Sequence, residues 1–371
     1  MGIKPSTPYG KDFGGCGLVG IIDRSGGSLS GSMVVSSLCS MKERGNGLGS
    51  GYAVYGAYPD FKDSFGLHIM YNDISAREPV EEFLKTRLRI KHSEPVPVKK
   101  LHSMNTPPEF WRYFADPPED LDVQDEDAND DLIVGVVMEI NERIDNAYVV
   151  SSGKNLGVFK GVGHPDEIAE FFRMQDYKGY LLLGHTRFPT NTPGWWGGAH
   201  PFTILDWSIV HNGEISSYGT NKRYVEMFGY KCTLLTDTEV VAYLLDLLVR
   251  KKGLTLSAAA SVLAPPFWKN IQDMEPPKKD YYTALRMCYG NASLNGPFAI
   301  LMGFDNGILG LNDRIKLRPL IVGRKGDIVA IASEESAIRE VIKEPEDVWA
   351  PKAGEPFIVK LKEDVPQARS V

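Results

Sequence analysis

The stretch from Gly184 to Ile215, GHTRFPTNTPGWWGGAHPFTILDWSIVHNGEI, sets two short apolar runs against dense polar chemistry. One run, Tyr180 to Leu183, comes just before Arg187, and the other, Trp207 to Val210, just before Asn212-Gly213. Runs this short read as strands. The end of a strand is where a rigid sheet hands side chains and free backbone N–H groups to a cleft, so this stretch reads as the wall of a binding or active site. What it lacks is a nucleophile, which must come from elsewhere in the chain.

Bulk properties narrow the choice. The 371 residues suffice for one large domain or two ordinary ones. With 43% hydrophobic and 24% charged residues the composition is that of a soluble globular protein, and no apolar run approaches the roughly 18 residues of a membrane span. A formal charge of −7, with no nucleic-acid-binding motif, argues against nucleic acid as a partner. The expected substrate is a small molecule. Cys16, Cys39, Cys232 and Cys288 show no CxxC spacing, so neither a zinc site nor a disulfide framework is indicated, and a reduced, cytoplasmic setting fits. Residues 1–15 hold no apolar h-region and are not a secretory signal.

In chain order, the polar leader stops at Cys16, where Gly17 to Ile22 reads as a buried strand. A helix over Ser32 to Glu43 follows, then Arg44-Gly-Asn-Gly-Leu-Gly-Ser-Gly51. Those glycines match no nucleotide-binding pattern and follow a helix, so they read as a flexible loop. A helix is expected over Pro79 to Lys91. From Asp116 to Asp131 there are nine acidic residues and no basic one, within an acidic segment over 107–131. That segment reads as a solvated loop, with docking of a basic partner as the alternative. Strands are expected over Leu132 to Ile140 and over Ala147 to Ser151, the latter in a hairpin with Leu156 to Phe159. Pro165 to Asp176 reads as a helix. Thr236-Asp-Thr-Glu239 reads as a capping box opening a helix that stops at Gly253. Four short strands between Pro297 and Ala332 and a helix from Ser336 to Ile342 complete one α+β domain.

Cys16 supplies the missing nucleophile, although most free cysteines are small buried hydrophobes. No histidine stands in a local pattern for its base. Cutting the Gly15–Cys16 bond solves this: the freed α-amino group, with a reference pKa near 8, can take the thiol proton, and the leader becomes a propeptide. Attack on a carbonyl creates an oxyanion, which the Asn212 side chain and the Gly213 N–H can receive. Arg187 suits a carboxylate and Asp237 an ammonium, so together they suit an α-amino acid such as glutamine. Each has a plainer alternative. Asn212-Gly213 is also a common hairpin turn, Asp237 stands where a helix cap would, and Arg187 could be a surface or ion-paired arginine.

The combination resembles a known family. Cys16-Gly-Leu-Val-Gly-Ile-Ile22, Arg44-Gly45, His185-Thr-Arg-Phe188, His200-Pro-Phe202, His211-Asn-Gly-Glu-Ile215 and Thr236-Asp-Thr-Glu239 occur in the order seen in class II glutamine amidotransferases, which are N-terminal-nucleophile hydrolases. Arg187-Phe-Pro-Thr-Asn-Thr192, Trp195 and His200-Pro-Phe202 look in particular like the amidotransferase part of glutamate synthase, and Val149 to Gly163 resembles the separate subunit of archaeal-type glutamate synthases. The resemblance implies a four-layer αββα fold over residues 16–371 and removal of residues 1–15. It implies Cys16 as nucleophile, Asn212 and Gly213 as oxyanion hole, and Arg187 and Asp237 as the glutamine clamp. It further implies hydrolysis of L-glutamine to glutamate and ammonia through a Cys16 thioester. The ammonia would pass to another chain of glutamate-synthase type that carries FMN and iron–sulfur clusters, with no cofactor in this chain. Hydrolysis of a γ-glutamyl peptide and a non-catalytic glutamine-binding subunit are the alternatives. Two departures stand out: Asp313-Arg-Ile-Lys-Leu-Arg-Pro319 has Ile315-Lys316 where the family often shows a turn with glycine, and a 15-residue leader must be removed before Cys16 can act.

Overall fold

The computed structural model describes residues 14–104, 106–119, 126–188 and 194–363. Most of the leader and residues 120–125 of the acidic segment therefore lie outside the described residues. Two antiparallel sheets dominate. The larger has seven strands in the order Asp347–Trp349, Ile321–Lys325, Ile328–Ala332, Gly17–Asp23, Leu181–Thr186, Ser50–Tyr55 and Leu156–Gly161. The smaller has five, ordered Phe202–Ile204, Trp207–Gly213, Phe298–Phe304, Gly307–Asn312 and Phe357–Lys360.

Strand Gly17–Asp23 sits inside the larger sheet, paired on one side with Leu181–Thr186 and on the other with Ile328–Ala332. Its side chains alternate between two cores. Leu18 and Ile22 pack with Val210, Leu301 and Ile308 of the smaller sheet, while Val19 and Ile21 join Val34 and Leu38 of helix Gly31–Cys39. A strand buried on both faces reads in sequence as an unbroken apolar run, which Gly17 to Ile22 is. Helix Asp237–Leu245 covers the other face of the smaller sheet, with Val240, Val241 and Leu244 in the cluster that holds Ile209 and Ile300. The result is a mixed α/β structure built on antiparallel sheets. Among the described residues, no helix is long and apolar enough to cross a membrane.

Several expectations need correction. Residues 132–140 are not a strand but the body of helix Glu126–Arg143. Ile133, Val136, Val137 and Ile140 are buried at the i, i+3, i+4, i+7 spacing of one helical face, which the density of branched residues masked. The acidic segment is not one loop either. It contributes strand Glu109–Asp116 and the first turn of that helix, where Glu126 and Asp127 favour the positive end of the helix dipole. The expected hairpin is absent. Strand Ala147–Ser151 pairs with Phe65–Tyr71 in a separate four-stranded sheet, whereas Leu156–Gly161 pairs with Ser50–Tyr55. The turn between them is held instead by Asp206, whose carboxylate accepts the Lys154 N–H at 2.6 Å.

His68 joins this four-stranded sheet to the seven-stranded one. Its Nδ1–H donates to the Val158 carbonyl at 3.1 Å, and its Nε2 lies 2.7 Å from the Tyr58 hydroxyl, which donates to it when the ring is neutral. Burial lowers its pKa to about 3. The unfolded ring, with a pKa near 6.5, takes up a proton that the folded ring refuses. This stabilisation is complete above the unfolded value and is lost as pH falls toward about 3, at about 1.4 kcal/mol per pH unit. His68→Gln keeps both hydrogen bonds in principle. Denaturant titrations between about pH 6 and pH 4 should show the fall in unfolding free energy flattened by about that amount per unit. An unchanged slope would contradict the assignment.

Candidate active site

Cys16 directly precedes strand Gly17–Asp23 inside the seven-stranded sheet. The register pairs Gly17 with Thr186, which places Cys16 beside Arg187. Three contacts hold this corner. The Phe188 N–H donates to Cys16 Sγ at 3.4 Å, Arg44 Nε donates to the Cys16 carbonyl at 3.0 Å, and Arg44 is itself anchored by an ion pair with Glu334 at 2.5 Å. Burial pushes the Cys16 thiol up; the Phe188 N–H and the guanidinium groups of Arg187 and Arg318 pull it down, while Asp237 pushes it up again. Two charges expected from sequence, Arg187 and Asp237, thus act directly on the sulfur. Arg187 is 7% exposed, which overturns the surface-arginine alternative.

Asn212 and Gly213 end strand Trp207–Gly213, paired with Ala299 and Phe298. They lie inside a sheet, so the hairpin-turn alternative fails. Asn212 is 1% exposed, and its Nδ2 has no hydrogen-bond partner among the described residues. A buried donor left open costs about 1–3 kcal/mol, so this amide stands ready for an acceptor that a substrate would bring. Gly213 has φ 144°, and a Cβ there would lie 1.9 Å from the Pro297 carbonyl oxygen. No other residue fits.

Asp237 opens its helix, but the cap is Thr236, whose hydroxyl accepts the Thr238 N–H. The expected capping box does not close, because Glu239 turns away to accept the N–H groups of Thr233 and Leu234 at 3.0 and 2.9 Å. Asp237 instead accepts the Ile215 N–H at 3.0 Å and lies 3.6 Å from His211 Nδ1. Burial pushes its carboxyl up, yet His211 and the bonds from Ile215 and Thr238 hold it at about 2. It is an anion throughout the physiological range.

A chain of buried histidines, quoted as motif residues but given no role by the sequence, connects these pieces. His185 Nε2–H donates to the His211 carbonyl at 2.9 Å, crossing from one sheet to the other. The His200 ring lies tilted against His185 with centroids 3.9 Å apart, and its Nδ1 accepts the His211 N–H at 3.3 Å. Thr238 Oγ1 bridges His200 Nε2 and His211 Nδ1. Burial lowers His185 to about 3 and His200 further, so both stay neutral. Arg44, Phe188 and Arg318 likewise stand in quoted motifs, but sequence reasoning assigned no role to the Arg44 clamp, the Phe188 N–H or the Arg318 charge. Nothing in their spacing announces them, since each acts from a different turn. The glycine loop after the first helix is not free either: a Cβ on Gly45 would sit 2.1 Å from Thr186 Oγ1. Where Ile315-Lys316 departs from the family pattern, Lys316 takes the left-handed φ of 55° that glycine favours.

Residues 102–363 match the family model described as glutamine amidotransferases class-II. The chain belongs to that family. An uncharacterized protein of Archaeoglobus fulgidus is 54% identical over 355 residues, covering 95% of this chain and 94% of its own. A protein of Methanothermobacter thermautotrophicus, named only provisionally as a glutamine amidotransferase, is 26% identical over 88% of this chain and 94% of its own. The amidophosphoribosyltransferase of Methanocaldococcus jannaschii is 26% identical over 57% of this chain and 41% of its own.

The cross-sheet bond can be tested by itself. His185→Leu leaves the buried His211 carbonyl without its donor, and unfolding titrations should show a loss of about 1–3 kcal/mol. Wild-type stability in this variant would mean that the bond does not hold the sheets in register.

Proposed function

We propose that this chain is a glutaminase subunit that hydrolyses L-glutamine to glutamate and ammonia through a thioester on Cys16. The observation that carries the reading is that two opposite charges, the buried Arg187 and the partly exposed Asp237, both act on one sulfur. A cation and an anion near a nucleophile match the two ends of an α-amino acid whose side chain reaches that nucleophile. The four-layer αββα architecture of N-terminal-nucleophile hydrolases is part of the proposal. It is supported by the apolar cluster between the sheets and by the helices on the outer face of each.

The proposed sequence begins with loss of residues 1–15, which frees the Cys16 amine. That amine takes the thiol proton, and the thiolate attacks the carboxamide carbon of glutamine. Negative charge develops on the carbonyl oxygen, where Asn212 Nδ2 and the Gly213 N–H donate to it. The amine then returns its proton to the departing nitrogen, so ammonia leaves and a Cys16 thioester forms. Water, deprotonated by the same amine, attacks the thioester, and glutamate departs with the thiol restored. Arg44 holds the Cys16 carbonyl still throughout. The ammonia goes to a partner chain of glutamate-synthase type, in which FMN and iron–sulfur clusters belong to the partner.

Intact-mass analysis of the purified protein should give a chain beginning at Cys16. A chain that keeps residues 1–15 and resists a glutamine-analogue electrophile would end the proposal in favour of a non-catalytic binding subunit. In glutaminase assays, Asn212→Ala should lower kcat about 100-fold with little change in KM. Arg187→Ala should raise the KM for glutamine by about 10- to 100-fold. Equal effects on both parameters in both variants would refute the division of roles.

A further inference from the structure

Lys160 is 1% exposed and forms no ion pair among the described residues. A buried ammonium without a carboxylate is expensive, and burial pulls its pKa down to about 7 against a modest opposing pull from Glu239. An apolar side chain of the same length would fill the space at no such cost. The lysine is therefore best explained by what its Nζ touches.

Lys160 lies in the edge strand Leu156–Gly161 and pairs with Gly51, which in turn pairs with His185. Its stem packs over Gly51, where a Cβ would stand 2.6 Å from Lys160 Cβ and 2.3 Å from the His200 carbonyl oxygen. Nζ reaches two carbonyls, those of Gly197 and Pro201, each at 3.1 Å, and lies 4.2 Å from the Phe202 ring centroid. The two acceptors bracket residues 198–200. Within that bracket Gly198 backs onto the glutamine clamp, since a Cβ there would lie 3.2 Å from Arg187 Nη1.

We infer that Lys160 is a positioning residue that holds the Gly197–Pro201 turn against Arg187 and so sets how firmly the site grips the α-carboxylate of its substrate. The inference rests on the glutaminase reading. Lys160 touches no substrate atom; it acts through the two carbonyls and the turn they belong to. Losing it lets the turn relax away from the guanidinium, while the sulfur and its Phe188 N–H donor stay in place.

Two electrophiles separate this role from general structural support. 6-Diazo-5-oxo-L-norleucine carries the α-carboxylate and α-amine of glutamine, whereas iodoacetamide carries neither, and modification of the Cys16 peptide is followed by mass. In Lys160→Met the rate constant for the diazo compound at low concentration should fall about 10-fold, as for loss of one charge-assisted contact, with iodoacetamide reactivity within about twofold of wild type. Gly198→Ala, whose Cβ would strike the Trp195 indole 2.4 Å away and come within 3.2 Å of Arg187 Nη1, should shift the same turn and reproduce this selectivity. Combined with Arg187→Ala, Lys160→Met should add less than about twofold, because both changes remove one grip. Equal loss of reactivity toward both reagents, or no loss toward either, would overturn the inference. Wild-type protein that shows no preference for the diazo compound would instead overturn the glutaminase reading itself.

Discussion

The hydrogen bond from His185 to the His211 carbonyl is the contact on which the site's geometry depends. Within each sheet, register is set by its own ladder, and nothing in a ladder tells one sheet how to slide over another. The 2.9 Å bond crosses that gap two residues from Arg187 and one residue from Asn212. The apolar cluster between the sheets supplies most of the attraction but little direction, because hydrophobic burial is non-directional. A bond with a preferred angle supplies the direction. His200 and Thr238 extend it to the helix that bears Asp237, so three separately folded elements meet at one sulfur.

The corner around Cys16 concentrates charge in a place that resists it. Burial opposes the ionised forms of Cys16, Arg187, Asp237 and Lys160 alike. Three of them are tolerated through specific hydrogen bonds: the Phe188 N–H for the sulfur, the Ile215 N–H for Asp237, two carbonyls for Lys160. The site is therefore assembled from short, directional bonds in a low-dielectric setting, where such bonds are strong and misplacement is costly. A substrate carrying both a carboxylate and an ammonium would complete the set rather than disturb it.

Some of this was legible in the chain and some was not, for definite reasons. The strand at Gly17 to Ile22 was readable because burial on both faces leaves an unbroken apolar run. Helix Glu126–Arg143 was not, since a Val- and Ile-rich segment satisfies strand propensity while Ile133, Val136, Val137 and Ile140 repeat at helical spacing. The strands flanking Ser152 to Asn155 were found, but their assignment to two different sheets was invisible, because local turn residues say nothing about which distant strand offers a free edge. Cys16, Arg187, Asn212, Gly213 and Asp237 stood out as residue types at strand ends and a helix start. Lys160 did not, since a lysine in a strand reads as a solvated residue until Gly51 is seen to open a path beneath it.

The sequence by itself determined which chemical groups the chain possesses and which local elements present them. It carried a thiol at a strand's start, an amide and a glycine at a strand's end, and a cation and an anion of the right types for an α-amino acid. Only the tertiary structure decided that Arg187 and Asp237 both act on the Cys16 sulfur, that Asn212 is left with an open donor, and that Arg44, Lys160 and a chain of buried histidines hold the arrangement. The reason is physical: side-chain type and local backbone preference are encoded within a few neighbouring residues. The relative placement of two sheets is settled by contacts between positions far apart in the chain.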